Sequence, residues 1–306
     1  MDKYLIIIAG PTASGKTATA IKVAKALGTE IISADSRQFY KELPIGTAAP
    51  TKEEQSEVQH YMIHNLKVED KYDVADYEND VLSLLKKLFI NHDSVVLTGG
   101  SGLFIDAVCK GLDSIPDISE ETRNKVTKLY EDGGLAALQN ETQRLDPEYY
   151  NIVDKNNPRR LQRAVEVCYQ TGLPYSSFRN NTAKVRDFKI IKVALLWERN
   201  ELISRINQRV ENMISEGLLE EAKAMYPKRH LNSLNTVGYK ELFEYFDGKV
   251  SLNEAIEQIK IDTRQYAKRQ MTWLRKNNDY QWFTIEEIPE MINYIKSIIN
   301  SENDNQ

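Results

Sequence analysis

Residues 10 to 17 read Gly-Pro-Thr-Ala-Ser-Gly-Lys-Thr and follow directly on the apolar run Tyr4-Leu5-Ile6-Ile7-Ile8-Ala9. Behind them Ile21, Ala24, Lys25 and Leu27 recur at helical spacing. A strand, a glycine-rich turn and a helix in that order make a phosphate cradle. Gly10 and Gly15 let the backbone bend so that several N–H groups point inward, and the helix start at Lys16 adds the positive end of its dipole. Lys16 supplies a point charge for the outer phosphates, and the Thr17 hydroxyl is the expected Mg²⁺ ligand. Gly10, Pro11, Thr12, Ala13, Ser14, Gly15, Lys16 and Thr17 are therefore the expected seat of a di- or triphosphate.

Further strand signals lie at Leu5–Ala9, Glu30–Ser33, Ser94–Thr98 and Lys189–Trp197, with a weaker one at Gln281–Thr284. Helical patterns separate them at Ala18–Leu27, around Tyr77–Phe89 and at Leu103–Val108. Short apolar strands alternating with helices predict an α/β fold, a parallel sheet covered on both faces. The polar, helix-patterned stretch 116–187 ends in the loop-like Ser176–Lys184 and reads as a helical insertion domain; residues 1–115 and 188–306 form the P-loop core. After Trp197 the pattern is nearly all helical, and Ser251-Leu-Asn-Glu254 is a capping-box signature. Asn300–Gln306 reads as a frayed tail.

The net charge of −5 argues against a polyanionic partner until it is resolved along the chain. From Lys155 to Asp279 there are 23 Lys and Arg against 15 Asp and Glu, a net +8, while the remainder carries 17 against 30. Screening confines charge effects to about 10 Å, so a basic stretch in an acidic protein can still bind an anion locally. No apolar run reaches membrane-spanning length and no signal-peptide layout opens the chain. Cys109 and Cys168 lack metal-ligand spacing and read as reduced cysteines, which makes the cytoplasm the expected compartment.

Asp35 closes the second strand, where ligands of doubly wound sheets bind; a turn or N-cap role is the alternative. The third strand ends in Thr98-Gly99-Gly100-Ser101-Gly102 instead of the Asp that holds Mg²⁺ in many ATPases. Those glycines suggest close backbone approach by a ligand. Asn157 and Pro158 start a helix well; Leu161, Ala164, Val165 and Cys168 form its buried face. Arg159, Arg160 and Arg163 cluster opposite, as a phosphate-backbone contact or a solvated face. Arg205 and Arg209 are one helical turn apart and could reach a diphosphate, although Glu201 could instead pair with Arg205. His60 and His64 read as exposed or loop histidines, and the stripe of Tyr266 and Trp273 reads as core.

In order along the chain, Gly10–Thr17, Ser33-Ala-Asp-Ser-Arg-Gln-Phe-Tyr40, Gly46-Thr-Ala-Ala-Pro50, Gly99-Gly-Ser-Gly-Leu-Phe104, Pro158-Arg-Arg-Leu-Gln-Arg163, Val237-Gly-Tyr-Lys-Glu241 and Thr263–Trp273 together resemble the bacterial-type tRNA dimethylallyltransferases, or isopentenyl-tRNA transferases. The resemblance implies transfer of a dimethylallyl group from dimethylallyl diphosphate to N6 of the adenine 3′-adjacent to the anticodon in tRNA. Asp35 would be the general base, with Lys16, Arg205 and Mg²⁺ clamping the diphosphate. Asp35, Ser36, Arg37, Gln38 and Ser101 would meet the extruded base. Arg123 and the run Arg159, Arg160, Leu161, Gln162 and Arg163 would grip the anticodon stem-loop. A monomer without membrane association is expected. The chain departs from the family pattern at Ala49, where Lys is usual, at Ser101 for Thr, Phe104 for Tyr, Leu274 for Phe and His64 for Asp. Two other classes fit the residues less well: a small-molecule kinase of the same fold and a non-catalytic RNA-binding module.

Overall fold

The computed structural model describes residues 2–179 and 183–303, and they form two compact units: Met1–Cys109 with Val185–Gln306, and Lys110–Lys184. The first unit holds a six-stranded, all-parallel sheet. Its strands are β1 (Tyr4–Ala9), β2 (Ile31–Ser33), β3 (His60–Tyr61), β4 (Ser94–Gly99), β5 (Lys189–Leu195) and β6 (Gln281–Phe283), in the order β3-β2-β4-β1-β5-β6.

The two-residue period of a strand explains how one apolar run serves two faces. Leu5, Ile7 and Ala9 of β1 face one way, with Ile32 and Leu97, and pack against α3 (Val74–Asn91) and α4 (Gly102–Lys110) through Tyr77, Val81, Leu85, Ile105 and Val108. Tyr4, Ile6 and Ile8 face the other way, against α1 (Lys16–Leu27) and α12 (Ile288–Asn303). Every residue of β1 and β4 is buried. At about 1.5–3 kcal/mol for each large aliphatic side chain, this sandwich dominates the stability of the unit.

A second apolar cluster in the same unit is helical. It joins α8 (Arg199–Ser215), α9 (Leu218–Met225), α10 (Tyr239–Phe246) and α11 (Leu252–Lys276) through Val210, Leu218, Leu242 and Ile259. The capping box at the start of α11 forms, with Ser251 Oγ accepting from Glu254 N. In the unit Lys110–Lys184, α5 (Glu120–Leu145) breaks at Gly134, whose φ is +61°, and packs with α6 (Pro147–Ile152) and α7 (Pro158–Thr171).

The expectation for His60 is overturned, while His64 lies in a loop as expected. His60 lies in β3, 6% exposed, and its Nδ1 lies 2.8 Å from the Val58 carbonyl. A strand of two residues carries no periodicity, so nothing in the sequence marked it. His64 is half-buried at a φ of +50°. Of the expected loop at 176–184, residues 180–182 lie outside the described residues. So do residues 304–306 of the expected tail, whereas Asn300 to Asn303 continue α12.

Candidate active site

The phosphate loop is shaped by its own backbone and tied down from outside. Gly15 (φ +84°) and Ala13 (φ +62°) turn the chain into the left-handed region, and α1 begins at Lys16. A Cβ on Gly10 would stand 2.7 Å from Ser14 Oγ. Ser14 Oγ is buried and has no hydrogen-bond partner, the state of a donor shaped to meet a ligand oxygen. Three contacts brace the loop: Trp197 Nε1 donates to the Ser14 carbonyl (2.9 Å), Arg205 Nε donates to the Ala13 carbonyl (2.8 Å), and Thr12 N donates to Gln270 Oε1 (2.8 Å). Lys16 Nζ folds back onto the Pro11 carbonyl at 2.7 Å. Burial lowers the Lys16 pKa to about 8, with Asp35 opposing and Arg209 adding to that fall.

Asp35 follows β2 and starts a tight turn: its carboxylate accepts from Arg37 N (3.1 Å) and its carbonyl from Gln38 N (3.1 Å). The turn is braced by the end of β4, where Ser101 Oγ accepts from Ser36 N at 3.0 Å and Ser101 N donates to the Ala34 carbonyl. The glycines of that segment serve this crossing. A Cβ on Gly99 would lie 2.3 Å from the Ala34 carbonyl oxygen, one on Gly100 2.1 Å from Gln270 Nε2, and one on Gly102 2.4 Å from the Trp273 ring. The expected close approach by a ligand is therefore corrected: the chain's own Ala34, Gln270 and Trp273 occupy the space.

A cavity of about 500 Å³ opens over the loop, lined by Thr12–Ala18, Asp35–Gln38 and Gly46–Ala48, and by residues of α8, α9, α10 and α11. Arg209 lines it; Arg205 does not, its guanidinium lying outside the loop over the Trp197 ring at 4.5 Å. Burial lowers the pKa of Arg209 and Asp35 opposes that shift, so a desolvated guanidinium and ammonium stand beside the Asp35 carboxylate. Tyr266 is a cavity residue, not a core one. Burial and the neighbouring Asp35 push its hydroxyl up to about 12. Trp273 is packed beside the sheet, its Nε1 donating to Asp106 Oδ2 at 2.8 Å.

The family model described as IPP transferase matches residues 38–277. The chain belongs to the IPP transferase family. Among its relatives are tRNA dimethylallyltransferase 1 of Phocaeicola vulgatus, 51% identical over 97% of this chain and 99% of the relative, and that of Bacteroides fragilis, 49% identical over 97% and 99%. The full-length tRNA isopentenylpyrophosphate transferase of Bacillus halodurans matches at a TM-score of 0.73 with 35% identity, covering 99% of both chains. A eukaryotic dimethylallyltransferase acting on tRNA shares the fold, with a TM-score of 0.78, 24% identity, and coverage of 92% of this chain and 74% of that one.

Within this IPP transferase the remaining expected site residues divide sharply. Arg37 Nη1 donates to the carbonyls of Asn232 and Ser233, and the Gln38 carboxamide is buried between Ser33, Thr47 and Ala48. Both therefore shape the cavity wall. That wall has a second support that sequence reasoning missed: the Glu221 carboxylate accepts from Ile45 N (2.9 Å), Gly46 N (2.8 Å) and the Tyr239 hydroxyl (2.5 Å). The Tyr239 ring fills the space a side chain at Gly46 would need. In the helical unit, Arg123, Arg159 and Arg160 are exposed, Gln162 is half-buried, and Arg163 lies 3.8 Å from Glu166. Leu161 is fully buried in the core of that unit, so its side chain cannot meet RNA, contrary to expectation.

Proposed function

We propose that the chain transfers a dimethylallyl group from dimethylallyl diphosphate to N6 of the adenine 3′-adjacent to the anticodon in tRNA, with release of diphosphate. The names of its close relatives support this reading, and the observation that carries it is the placement of Asp35 with Lys16 and Arg209 in the one cavity above the phosphate loop. The loop N–H groups, Ser14 Oγ, Lys16 and Arg209 hold the diphosphate and oppose the charge it gains as the C1–O bond breaks. The adenine, extruded from the anticodon loop, brings N6 to C1; the new N–C bond forms and the amine proton passes to the Asp35 carboxylate. Tyr266 and the walls built on Gly46–Ala48 exclude water, which would otherwise capture the allylic cation. Arg205 acts one step back, bracing the loop through Ala13.

Thr17 lines the cavity and offers a hard oxygen donor, and no cluster of three metal-ligating side chains exists among the described residues. One or two protein oxygens completed by substrate phosphates is the donor set Mg²⁺ prefers. Bound there, Mg²⁺ would neutralise the diphosphate. Arg123, Arg159, Arg160 and Arg163 are assigned to the phosphate backbone of the anticodon stem-loop. The protein acts as a monomer in the cytoplasm; no described helix is long and apolar enough to cross a membrane.

The test is a nucleoside digest, read by mass spectrometry, of unmodified tRNA incubated with the protein, Mg²⁺ and dimethylallyl diphosphate. Prenylated adenosine is expected, and its absence refutes the reading. Asp35→Asn should lower kcat by about 10²–10⁴-fold while tRNA affinity stays unchanged; full activity in that variant would remove Asp35 as the base.

A further inference from the structure

Lys240 lines the cavity, and the residue after it is buried: Glu241 of α10 is 2% exposed. One oxygen of its carboxyl is occupied, since Oε2 accepts from Gly238 N at 2.8 Å and closes the capping box of the helix. Oε1 is buried and no donor among the described residues bonds to it, although Lys240 Nζ lies 3.3 Å away. That ammonium donates instead to Asp262 Oδ2 of α11 at 3.0 Å, and Asp262 Oδ1 accepts from Gln258 Nε2, also at 3.0 Å. Lys240 and Asp262 are the charged groups that act on Glu241 among the described residues. Glu221 of α9, which also packs on α10, is engaged by Ile45 N, Gly46 N and the Tyr239 hydroxyl. Two carboxyl groups therefore meet beside one ammonium. A buried carboxylate facing a second carboxylate is unfavourable unless one of the two carries a proton.

We propose that Glu241 and Asp262 share one proton, and that losing it turns the wall around Lys240 from electrically balanced to negative and weakens the binding of tRNA. The proposal rests on the tRNA-prenylating reading above. With the proton on Glu241 Oε1, the acid donates to the Asp262 carboxylate, and one negative charge faces one positive. Without it, two carboxylates face the Lys240 ammonium, and the surplus repels a polyanion brought to the cavity. Burial, and after it the hydrogen bond with Asp262, raises the Glu241 pKa to about 7. Against its own burial, Asp262 is held low by its hydrogen bonds to Glu241 and Lys240. Lys240, likewise against burial, is raised by the two acids and stays charged throughout.

The experiment reads the proton and the binding separately. Protein carrying glutamate labelled with ¹³C at the carboxyl carbon is titrated by NMR, and Glu241→Gln assigns the signal. A carboxyl signal with its midpoint near 7 that vanishes in the variant is expected. Glutamate signals that all titrate below about pH 5, the ordinary carboxylate range, would overturn the shared proton. Affinity for unmodified tRNA is then measured at about pH 6 and about pH 8 at fixed ionic strength. Wild type should bind about two- to fivefold more weakly at the higher pH, the scale of one exposed charge pair. Glu241→Gln keeps an acceptor for Gly238 N and a donor for Asp262, and should escape that loss. Asp262→Asn removes the second carboxylate and should move both the NMR midpoint and the loss of affinity to lower pH, so either variant tests the link. The same loss over the same pH range in all three proteins would overturn it. Absence of prenylated adenosine from the nucleoside digest would instead remove the reading of the reaction, and the carboxyl titration would still decide the shared proton.

Discussion

Gln270 joins the phosphate loop to the end of β4, and its removal should be felt at both. The side chain is 6% exposed; Oε1 accepts from Thr12 N at 2.8 Å and Nε2 donates to the Gly100 carbonyl at 2.9 Å. Gln270→Leu keeps the approximate shape and deletes both partners. Each buried backbone group left unpaired costs about 1–3 kcal/mol. Thr12 is partly exposed and recovers some of this from water, so a total of about 2–4 kcal/mol is expected. All three tryptophans, Trp197, Trp273 and Trp282, lie in the sheet-bearing unit, so their fluorescence in a urea titration reports this unit. Gly100→Ala should disturb the same contact from the other side, because its Cβ would lie 2.1 Å from Gln270 Nε2. The double variant should therefore cost little more than the worse single one, a coupling of about 1 kcal/mol or more. Both variants should also raise the KM for the diphosphate donor, since Thr12 loses its anchor. Additive costs, or a Gln270→Leu variant as stable as wild type with an unchanged donor KM, would refute the argument.

Two further outcomes follow from the site and from the helical unit. Burial holds Lys16 at about 8, so the free enzyme carries the ammonium below that pH and loses it above; kcat/KM for the diphosphate donor should fall as pH rises through about 8, and a profile flat to pH 10 would contradict a charged Lys16 contact. Arg159→Gln with Arg160→Gln, both exposed on α7, should weaken tRNA binding and flatten the dependence of log K on log salt by about 1–2, leaving donor KM untouched; an unaltered salt slope would move the RNA face elsewhere.

Contiguous features were legible before any fold was known. The phosphate loop is local: its glycines, lysine and threonine lie within eight residues, and the turn follows from their backbone preferences. The strands β1, β4 and β5 announce themselves as apolar runs because parallel strands are buried on both faces. Asp35 was legible because it follows such a strand directly, two residues beyond β2. What escaped was everything set by the direction a helix face takes in space. Periodicity offers Arg205 and Arg209 equally, and only the packing of α8 puts Arg209 in the cavity and Arg205 behind the loop. Tyr266 belongs to an amphipathic stripe that reads as core until the cavity is seen beside it. Glu221 and Gln270 look like ordinary polar helix residues, yet each satisfies backbone groups about 170 or more residues away in the chain. Such partnerships carry no sequence signature, since a hydrogen bond between distant segments depends on where the chain closes up. Local chemistry specified the cradle and its charge; long-range packing settled which groups would stand around it.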